Sequence, residues 1–145
     1  MDVMKRVPVR EQDPKVRATN FEEVCLGYNE KEAMEEASRC LNCKNAMCMK
    51  GCPVSINIPA FIHEVKEGNF AEAYRIISES SALPAVCGRV CPQESQCEGK
   101  CIRGFKGDPV SIGKLERFVA DTASENGIKP KTAAEKNGKK VAIIG

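Results

Sequence analysis

Aromatic residues are scarce in this chain. Its 145 residues include no tryptophan, only two tyrosines and only five phenylalanines. A chain of this length can form one domain with a modest core, but so few aromatic side chains leave little bulk to fill that core. A domain of this kind often needs a further source of stability, and nine cysteines are the obvious candidates.

The chain also lacks a large net charge, a long apolar run and a signal sequence. The formal net charge of +2 indicates neither a nucleic acid nor an acidic partner. No apolar run is long enough to cross a membrane. The opening residues, MDVMKRVPVREQDPKVRATN, contain no apolar signal region and no small-residue cleavage site. We therefore expect a cytoplasmic protein, and in that reducing compartment clustered cysteines favour metal binding over disulfides.

Four helices are predicted between a polar N-terminal stretch and a polar linker. Residues 1–28 contain Pro8 and Pro14 and are expected to form an extended arm. Asn29 followed by Glu32 predicts a capping box and a helix that leads to Cys40. A second helix is expected from the apolar spacing that starts at Ile58, and a third from a capping box of Asn69 and Glu72. Residues 81–110 are expected to form a Gly/Pro-rich loop, and the fourth helix covers about residues 111–125.

The last five residues, VAIIG, form a short apolar run that ends in glycine. This pattern is typical of the first buried strand of a dinucleotide-binding fold, although the other glycines of that motif are missing. The alternative is a frayed tail.

Cysteines are concentrated in two runs. The first, Cys40-x2-Cys43-x4-Cys48-x3-Cys52-Pro, resembles the bacterial ferredoxin run C-x2-C-x2-C-x3-C-P. The second is Cys87-x3-Cys91-Pro-x4-Cys97-x3-Cys101. Zinc modules typically use two C-x2-C pairs, and only one such pair exists here, so iron–sulfur is favoured over zinc. A disulfide scaffold and a thiol oxidoreductase based on Cys40 and Cys43 are weaker alternatives.

Two assignments of these cysteines are open from spacing alone. The simpler one gives each run its own cluster and leaves Cys25 over. In two-cluster ferredoxins, however, the fourth cysteine of the run binds the other cluster, which favours an exchange of the last cysteines between the runs.

Four segments carry a resemblance to a known family: EEASRCLNCKNAMC, GCPVSINIPAFIHEVKEGNFAEAYRII, CGRVCPQESQCEGKC and PVSIGKLERF. Together they resemble the N-terminal iron–sulfur domain of the small (β) subunit of NADPH-dependent glutamate synthase. The same domain occurs in dihydropyrimidine dehydrogenase and in NADH-dependent ferredoxin:NADP oxidoreductase. The resemblance spans about residues 28–145 and includes VAIIG, which matches the start of the FAD-binding domain in this family.

The resemblance implies a mainly α fold, an α-helical ferredoxin domain with two [4Fe–4S] cluster sites. It implies the iron–sulfur domain over residues 29–126 and, at 141–145, the truncated first strand of a missing Rossmann-type FAD/NAD(P)-binding domain. Polar composition predicts the extended arm over residues 1–28 and the linker over 127–140. Carried over by position, the first cluster takes Cys40, Cys43, Cys48 and Cys101. The second takes Cys52, Cys91, Cys97 and a non-cysteine ligand. That ligand is a glutamine in the dehydrogenase relative, and the matching residue here is Glu116, so Cys87 falls outside both clusters.

The fourth helix is consistent with this position of Glu116. Its apolar side carries Ile112, Leu115, Val119 and Ala123, and Glu116 projects near that side. A carboxylate placed there needs a partner, because an unpaired buried charge is costly. The alternative is a residue at the rim that reaches water.

Electron transfer is the function that the resemblance implies. NAD(P)H would reduce FAD in the C-terminal domains, and the clusters would pass electrons to a partner flavoprotein, such as the large (α) subunit of glutamate synthase. The 145 residues alone, without the FAD and NADPH sites, are expected to carry electrons and to catalyse no reaction. The alternative is a zinc-stapled interaction module without redox activity. Neither nucleic acid nor membrane is expected as a partner.

Overall fold

The chain folds mainly into helices. A computed structural model describes residues 2–130 and 138–144. No helix in these two ranges combines the length and the apolar character that a membrane crossing requires. The α-helices are α1 (Pro14–Arg17), α2 (Glu30–Ala37), α3 (Met47–Gly51), α4 (Ile58–Lys66), α5 (Phe70–Ser78), α6 (Pro84–Val90) and α7 (Ile112–Glu125). Two 3-10 helices, Glu98–Lys100 and Ile102–Phe105, lie between α6 and α7. The prediction of a mainly α fold is therefore confirmed.

The core lies between α2, α4, α5 and α7. Apolar residues at helical spacing face inward on α4, where Phe61, Ile62 and Val65 are buried. Phe70 of α5 meets Phe118 of α7 edge to face, with ring centroids 5.0 Å apart. This small core is the scaffold against which the cysteine-bearing segments pack.

One predicted helix cap is confirmed and the other is wrong. Asn29 and Glu32 form a complete capping box at the start of α2. At α5, Asn69 makes no side-chain capping bond. Its amide instead donates to the Glu64 carboxylate at the end of α4, over 3.0 Å. The Asn-x-x-Glu pattern therefore predicted the start of α5 correctly, but the predicted capping bond of Asn69 is wrong.

The N-terminal stretch is not simply extended. Strands β1 (Arg10–Glu11) and β2 (Cys25–Gly27) pair antiparallel, with α1 between them. The Tyr28 hydroxyl donates to the Val7 carbonyl over 2.7 Å. These contacts fold the stretch back on itself. The Val7 N–H also donates to the Glu36 carboxylate over 2.7 Å, which ties the stretch to the helical core in a way that its polar composition did not indicate.

The segment predicted as a loop is partly helical. Within residues 81–110 the structure contains α6 and both 3-10 helices. Pro84 occupies the first turn of α6, where the absence of an N–H is tolerated. Cys87 therefore lies inside a helix, and Cys91 follows it by one turn as the C-cap residue.

The C-terminal residues form no strand where they are described. Residues 141–144 carry no regular structure, and Val141, Ile143 and Ile144 are exposed. Gly145 and residues 131–137 of the expected linker lie outside the described residues. The truncated first strand of a following domain is not confirmed and remains a prediction.

Candidate metal centre

Four thiols from both cysteine runs surround one cavity. A cavity of about 540 Å³ is lined by Cys40, Cys43 and Cys48 of the first run and by Cys101 of the second. The four sulfurs also interact electrostatically, since Cys48 is influenced by each of the other three. The structure thus brings together the residues that the resemblance assigns to the first cluster.

Local backbone geometry positions these thiols. Cys40 follows the end of α2, and Asn42 then turns the chain with a left-handed φ of 48°, a conformation that asparagine tolerates better than most residues. The backbone N–H of Asn42 bonds to the Cys40 sulfur. Arg103 Nε donates to the Arg39 carbonyl over 2.8 Å, which ties the end of the second run to the start of the first.

Burial favours the protonated form of two of these thiols, Cys40 and Cys48. Desolvation raises the pKa of the Cys40 thiol. Desolvation and then the charge of Cys101 raise the pKa of Cys48 to about 11. A desolvated group of thiols gains its negative charge most readily when a cation binds, because thiolate rather than thiol is the metal ligand.

A second group contains Cys52, Cys91, Cys97 and Glu116. Burial, then the charge of Glu98, raises the pKa of Cys97 to about 12, and smaller contributions come from Cys52 and Glu116. Burial also raises the pKa of Cys91, and smaller electrostatic contributions come from Cys87, Glu116 and Cys52. These mutual interactions place the group together although its members lie on four different segments.

Two glycines permit the close approaches that assemble the second group. A Cβ at Gly51 would lie 2.6 Å from the Gln96 carbonyl oxygen, so α3 touches the backbone beside Cys97. A Cβ at Gly88 would lie 2.6 Å from the Arg117 nitrogen, so α6 touches α7 beside Glu116. Because ordinary Cβ contacts are never this short, any other residue at these positions would push the segments apart.

Glu116 carries the clearest sign of a missing partner. Its residue is 7% exposed, and its Oε1 is buried without a hydrogen-bond partner among the described residues. Desolvation raises its pKa to about 7. A buried oxygen with no partner is costly, and here the carboxylate interacts electrostatically with the Cys91 and Cys97 thiols. This donor set, three sulfurs and one orphaned carboxylate oxygen, fits a bound metal group.

Of the two remaining cysteines, Cys25 is remote in sequence from both runs and Cys87 contacts the second group. Cys25 lies in β2, away from both runs in sequence. Cys87 lies on α6 and its thiol is hydrogen-bonded to that of Cys91, so it borders the second group. Because Cys87 and Cys91 are one helical turn apart, the sequence distance alone could not decide which of them belongs to a site.

No three His, Cys, Asp or Glu side chains within the described ranges converge closely enough to hold a single metal ion. A zinc ion draws its sulfur ligands to about 2.3 Å from one point. The first group instead surrounds an open cavity, an arrangement that a cluster of several atoms fits.

A buried ionic network supports both groups, and the sequence reasoning missed it. Glu36 and Arg39 are fully buried and paired, and Glu36 also accepts from the backbone N–H groups of Val7 and Ser111. Glu98, between Cys97 and Cys101, accepts from Gly113 N and from Arg6. The i, i+3 spacing of Glu36 and Arg39 was visible in the sequence, but their burial depends on the folded N-terminal stretch.

Comparison with known proteins identifies the domain. The family described as dihydropyrimidine dehydrogenase domain II, 4Fe-4S cluster matches residues 17–128. This match favours iron–sulfur over zinc, because the family is defined by a 4Fe–4S cluster.

Curated relatives agree with the family match. The NADPH-dependent glutamate synthase small chain of Escherichia coli K12 is 40% identical over 143 residues, which cover 98% of this chain and 30% of that protein. The Azospirillum brasilense small chain is 37% identical over 89% of this chain and 27% of its own length. The NAD-dependent dihydropyrimidine dehydrogenase subunit PreT of Escherichia coli K12 is 40% identical over 86% of this chain and 30% of that protein. The chain therefore spans less than a third of each of these relatives.

These matches confirm the resemblance that the cysteine segments carry. With its helical fold and its two groups of cysteines, the chain belongs to the 4Fe–4S family of dihydropyrimidine dehydrogenase domain II, which includes the iron–sulfur domain of the glutamate synthase small chain.

Proposed function

We propose that this chain is the electron-transfer domain of an NAD(P)H-dependent flavoprotein oxidoreductase and holds two [4Fe–4S] clusters. The observation that carries the proposal is the position of Cys101, which lines one cavity with three cysteines of the other run. The first cluster would be held by Cys40, Cys43, Cys48 and Cys101. The second would be held by Cys52, Cys91, Cys97 and Glu116.

The protein's part is to bind, bury and tune these groups. When bound, such clusters supply one-electron carriers whose potential depends on hydrogen bonds to sulfur and on solvent exposure. Backbone N–H groups of Asn42, Met49 and Glu98 bond to the sulfurs of Cys40, Cys48 and Cys97, respectively. The partial burial of these sulfurs limits access of water. The fold therefore sets both the hydrogen bonds to these sulfurs and their exposure to water.

Glu116 would serve as the eighth ligand. Its orphaned Oε1 lies beside Cys91 and Cys97, whose electrostatic environment it shares. A carboxylate oxygen is a harder ligand than thiolate, so the second site would differ chemically from the first. This difference gives the two clusters separate spectroscopic signatures.

The longer protein would contain the remaining machinery. Relatives of about three times this length are oxidoreductases whose names specify NADPH or NAD. We propose that residues 29–126 form the iron–sulfur domain, 127–140 a linker and 141–145 the start of an FAD/NAD(P)-binding domain. Electrons would then pass from FAD to the flavin of a partner protein, and a glutamate synthase large subunit is the partner that the glutamate synthase small-chain relatives suggest. The 145 residues alone would carry electrons without catalysing a reaction.

Iron and acid-labile sulfide analysis of anaerobically purified protein tests this proposal. Two clusters require about eight irons and about eight sulfides per chain, with brown colour and broad visible absorbance. A colourless protein that contains zinc and no sulfide would contradict the proposal and would support the alternative, a zinc-stapled interaction module without redox activity. The measurement should be made on the chain with residues 1–28 present, because these residues contact the core.

A further inference from the structure

Exposed apolar side chains surround the mouth of the first cavity. Leu41, Met47, Ile102 and Phe105 line this cavity together with the four thiols, yet they are 47–86% exposed. A shallower cavity beside it shares three of them, Leu41, Ile102 and Phe105. Single exposed apolar residues are ordinary, but a contiguous group of them marks an interaction surface.

The charge at this mouth has one sign. Lys100 and Arg103 line the first cavity, Lys106 lines the adjoining one, and Lys44 lies between the lining residues Cys43 and Asn45. Ion pairs found within the described ranges involve none of these four cations. The carboxylate among the lining residues is Glu98, which is buried and paired with Arg6. We call the four apolar residues and the four cations together the cavity face.

The small overall net charge of +2 does not reveal the local excess of positive charge around the first cavity. Glu36 is buried, and the sequence contains no acidic residue between Glu36 and Glu64. The segment that bears the first run of cysteines is therefore cationic at the surface. A surface of this kind attracts anionic partners over several ångströms and speeds their association.

We propose that the cavity face is the docking surface for an electron-transfer partner protein whose complementary surface is acidic around an apolar centre. The inference rests on the proposed function, because it is the thiols beneath this face that would hold the first cluster. Charge complementarity identifies the occupant. A second copy of this chain would present the same cations in an isologous contact, and like charges would oppose that pairing.

The shape of the surface favours a protein over a lipid bilayer. The exposed side chains rim a recessed opening rather than forming one flat or amphipathic helical surface, because they come from the Cys40–Cys43 loop, α3 and the second 3-10 helix. A protein partner can insert a side chain or present a prosthetic group at such an opening. Transfer then moves one electron from the reduced cluster to the partner's oxidised centre, with no bond made or broken and no proton moved.

Electron transfer to two heme proteins of opposite charge tests the docking surface. The iron-loaded chain would be reduced anaerobically, separated from excess reductant and mixed with ferric cytochrome b5, an acidic protein, or with ferric cytochrome c, a basic one. Between about 10 mM and about 150 mM salt the screening length falls from about 30 Å to about 8 Å. We expect the rate with cytochrome b5 to fall about tenfold over this range, and the rate with cytochrome c to stay constant or rise.

Paired variants locate the effect. Lys106→Glu and Lys44→Glu should each lower the low-salt rate with cytochrome b5 about threefold or more, and Phe105→Ala should lower it at both salt concentrations. The matched controls are Lys31→Glu on α2 and Phe21→Ala, since both residues are exposed and lie outside the cavity face. Neither control should change the rate.

Each outcome decides a different claim. If the chain contains no cluster or reduces neither cytochrome, the proposed function fails. If both cytochromes are reduced with the same salt response, or if the controls lose as much rate as the cavity-face variants, the function stands and the docking surface is wrong. The iron-loaded chain would also be floated with phosphatidylglycerol vesicles. Binding that is lost in Lys106→Glu would assign this face to an anionic membrane surface and overturn the proposal.

Discussion

Gly88 of α6 lies directly against the backbone of Arg117 in α7. A Cβ at Gly88 would be 2.6 Å from the Arg117 nitrogen and 2.8 Å from its Cα. This contact holds the helix that bears Cys87 and leads to Cys91 beside the helix that bears Glu116. Gly88→Ala should therefore separate the two helices, cost about 1–3 kcal/mol of stability and selectively reduce iron at the second site.

Iron content and EPR of anaerobically purified protein check this prediction. Gly104→Ala is the matched control, because a Cβ there would meet nothing closer than 3.7 Å. We expect Gly104→Ala to keep both clusters. An equal loss of iron from both sites in Gly88→Ala would show that the contact supports the fold in general rather than the second site.

Arg39 is expected to be among the most sensitive positions outside the cysteines. Its side chain is fully buried, pairs with Glu36 and donates to the Asp108 carbonyl. Arg39→Met would leave the Glu36 carboxylate buried without its cation, at a cost of about 3–5 kcal/mol. Arg75→Met removes an exposed pair with Glu72 and should cost less than about 1 kcal/mol.

Anaerobic thermal unfolding of the iron-loaded protein compares the two arginine variants. The midpoint of Arg39→Met should fall by more than about 5 °C, whereas Arg75→Met should remain near the parent. Equal midpoints would mean that Arg39 adds no stability, either through its pair with Glu36 or through its hydrogen bonds to the backbone.

Cluster connectivity is tested by serine variants. Cys101→Ser and Cys43→Ser should damage the same cluster, because both thiols line one cavity. Cys87→Ser should leave both clusters in place, since Cys87 only borders the second group. EPR spectra of the reduced proteins identify which signal is lost. Loss of about four irons in Cys87→Ser, with both clusters intact in Glu116→Ala, would support the simpler assignment, in which each run of cysteines binds its own cluster.

Glu116 is predicted to be replaceable by glutamine but not by alanine. Glu116→Gln retains a side-chain oxygen at the same reach and should keep the second cluster. Glu116→Ala should leave one iron of that cluster exchangeable or lost, while the first cluster is unaffected. EPR and redox potentials provide the measurement. Unchanged signals and potentials in Glu116→Ala would mean that the eighth ligand is another residue.

Removal of the metal should unfold the cysteine-bearing segments before the helical core. The first thiol group surrounds a cavity that no side chain of the described residues fills, so loss of its occupant removes the main support of that region. The α4–α5 pair and the edge-to-face contact between Phe70 of α5 and Phe118 of α7 can persist. Chelation followed by circular dichroism and hydrogen exchange would show this order. An unchanged thermal midpoint after chelation would contradict a structural role for the clusters.

Local sequence determined the helical elements of this protein. Apolar residues at helical spacing predicted α4, and Asn29 with Glu32 predicted the start of α2, because amphipathic periodicity and capping act over a few residues. The same locality explains the errors. The residues between Ser81 and Val110 contain helix breakers, yet packing against α7 makes part of them helical.

The tertiary structure decided which side chains meet. The gaps between cysteines left two assignments open, and the convergence of Cys101 on the first run depends on long-range contacts such as Arg103 to the Arg39 carbonyl. Sequence spacing placed Glu116 near an apolar helix face, but only the packed helices leave its Oε1 without a hydrogen-bond partner in the part of the chain that the structure describes. The folded N-terminal stretch and the burial of Arg39 likewise arise from distant segments, because burial is a property of packed surfaces and not of neighbours along the chain.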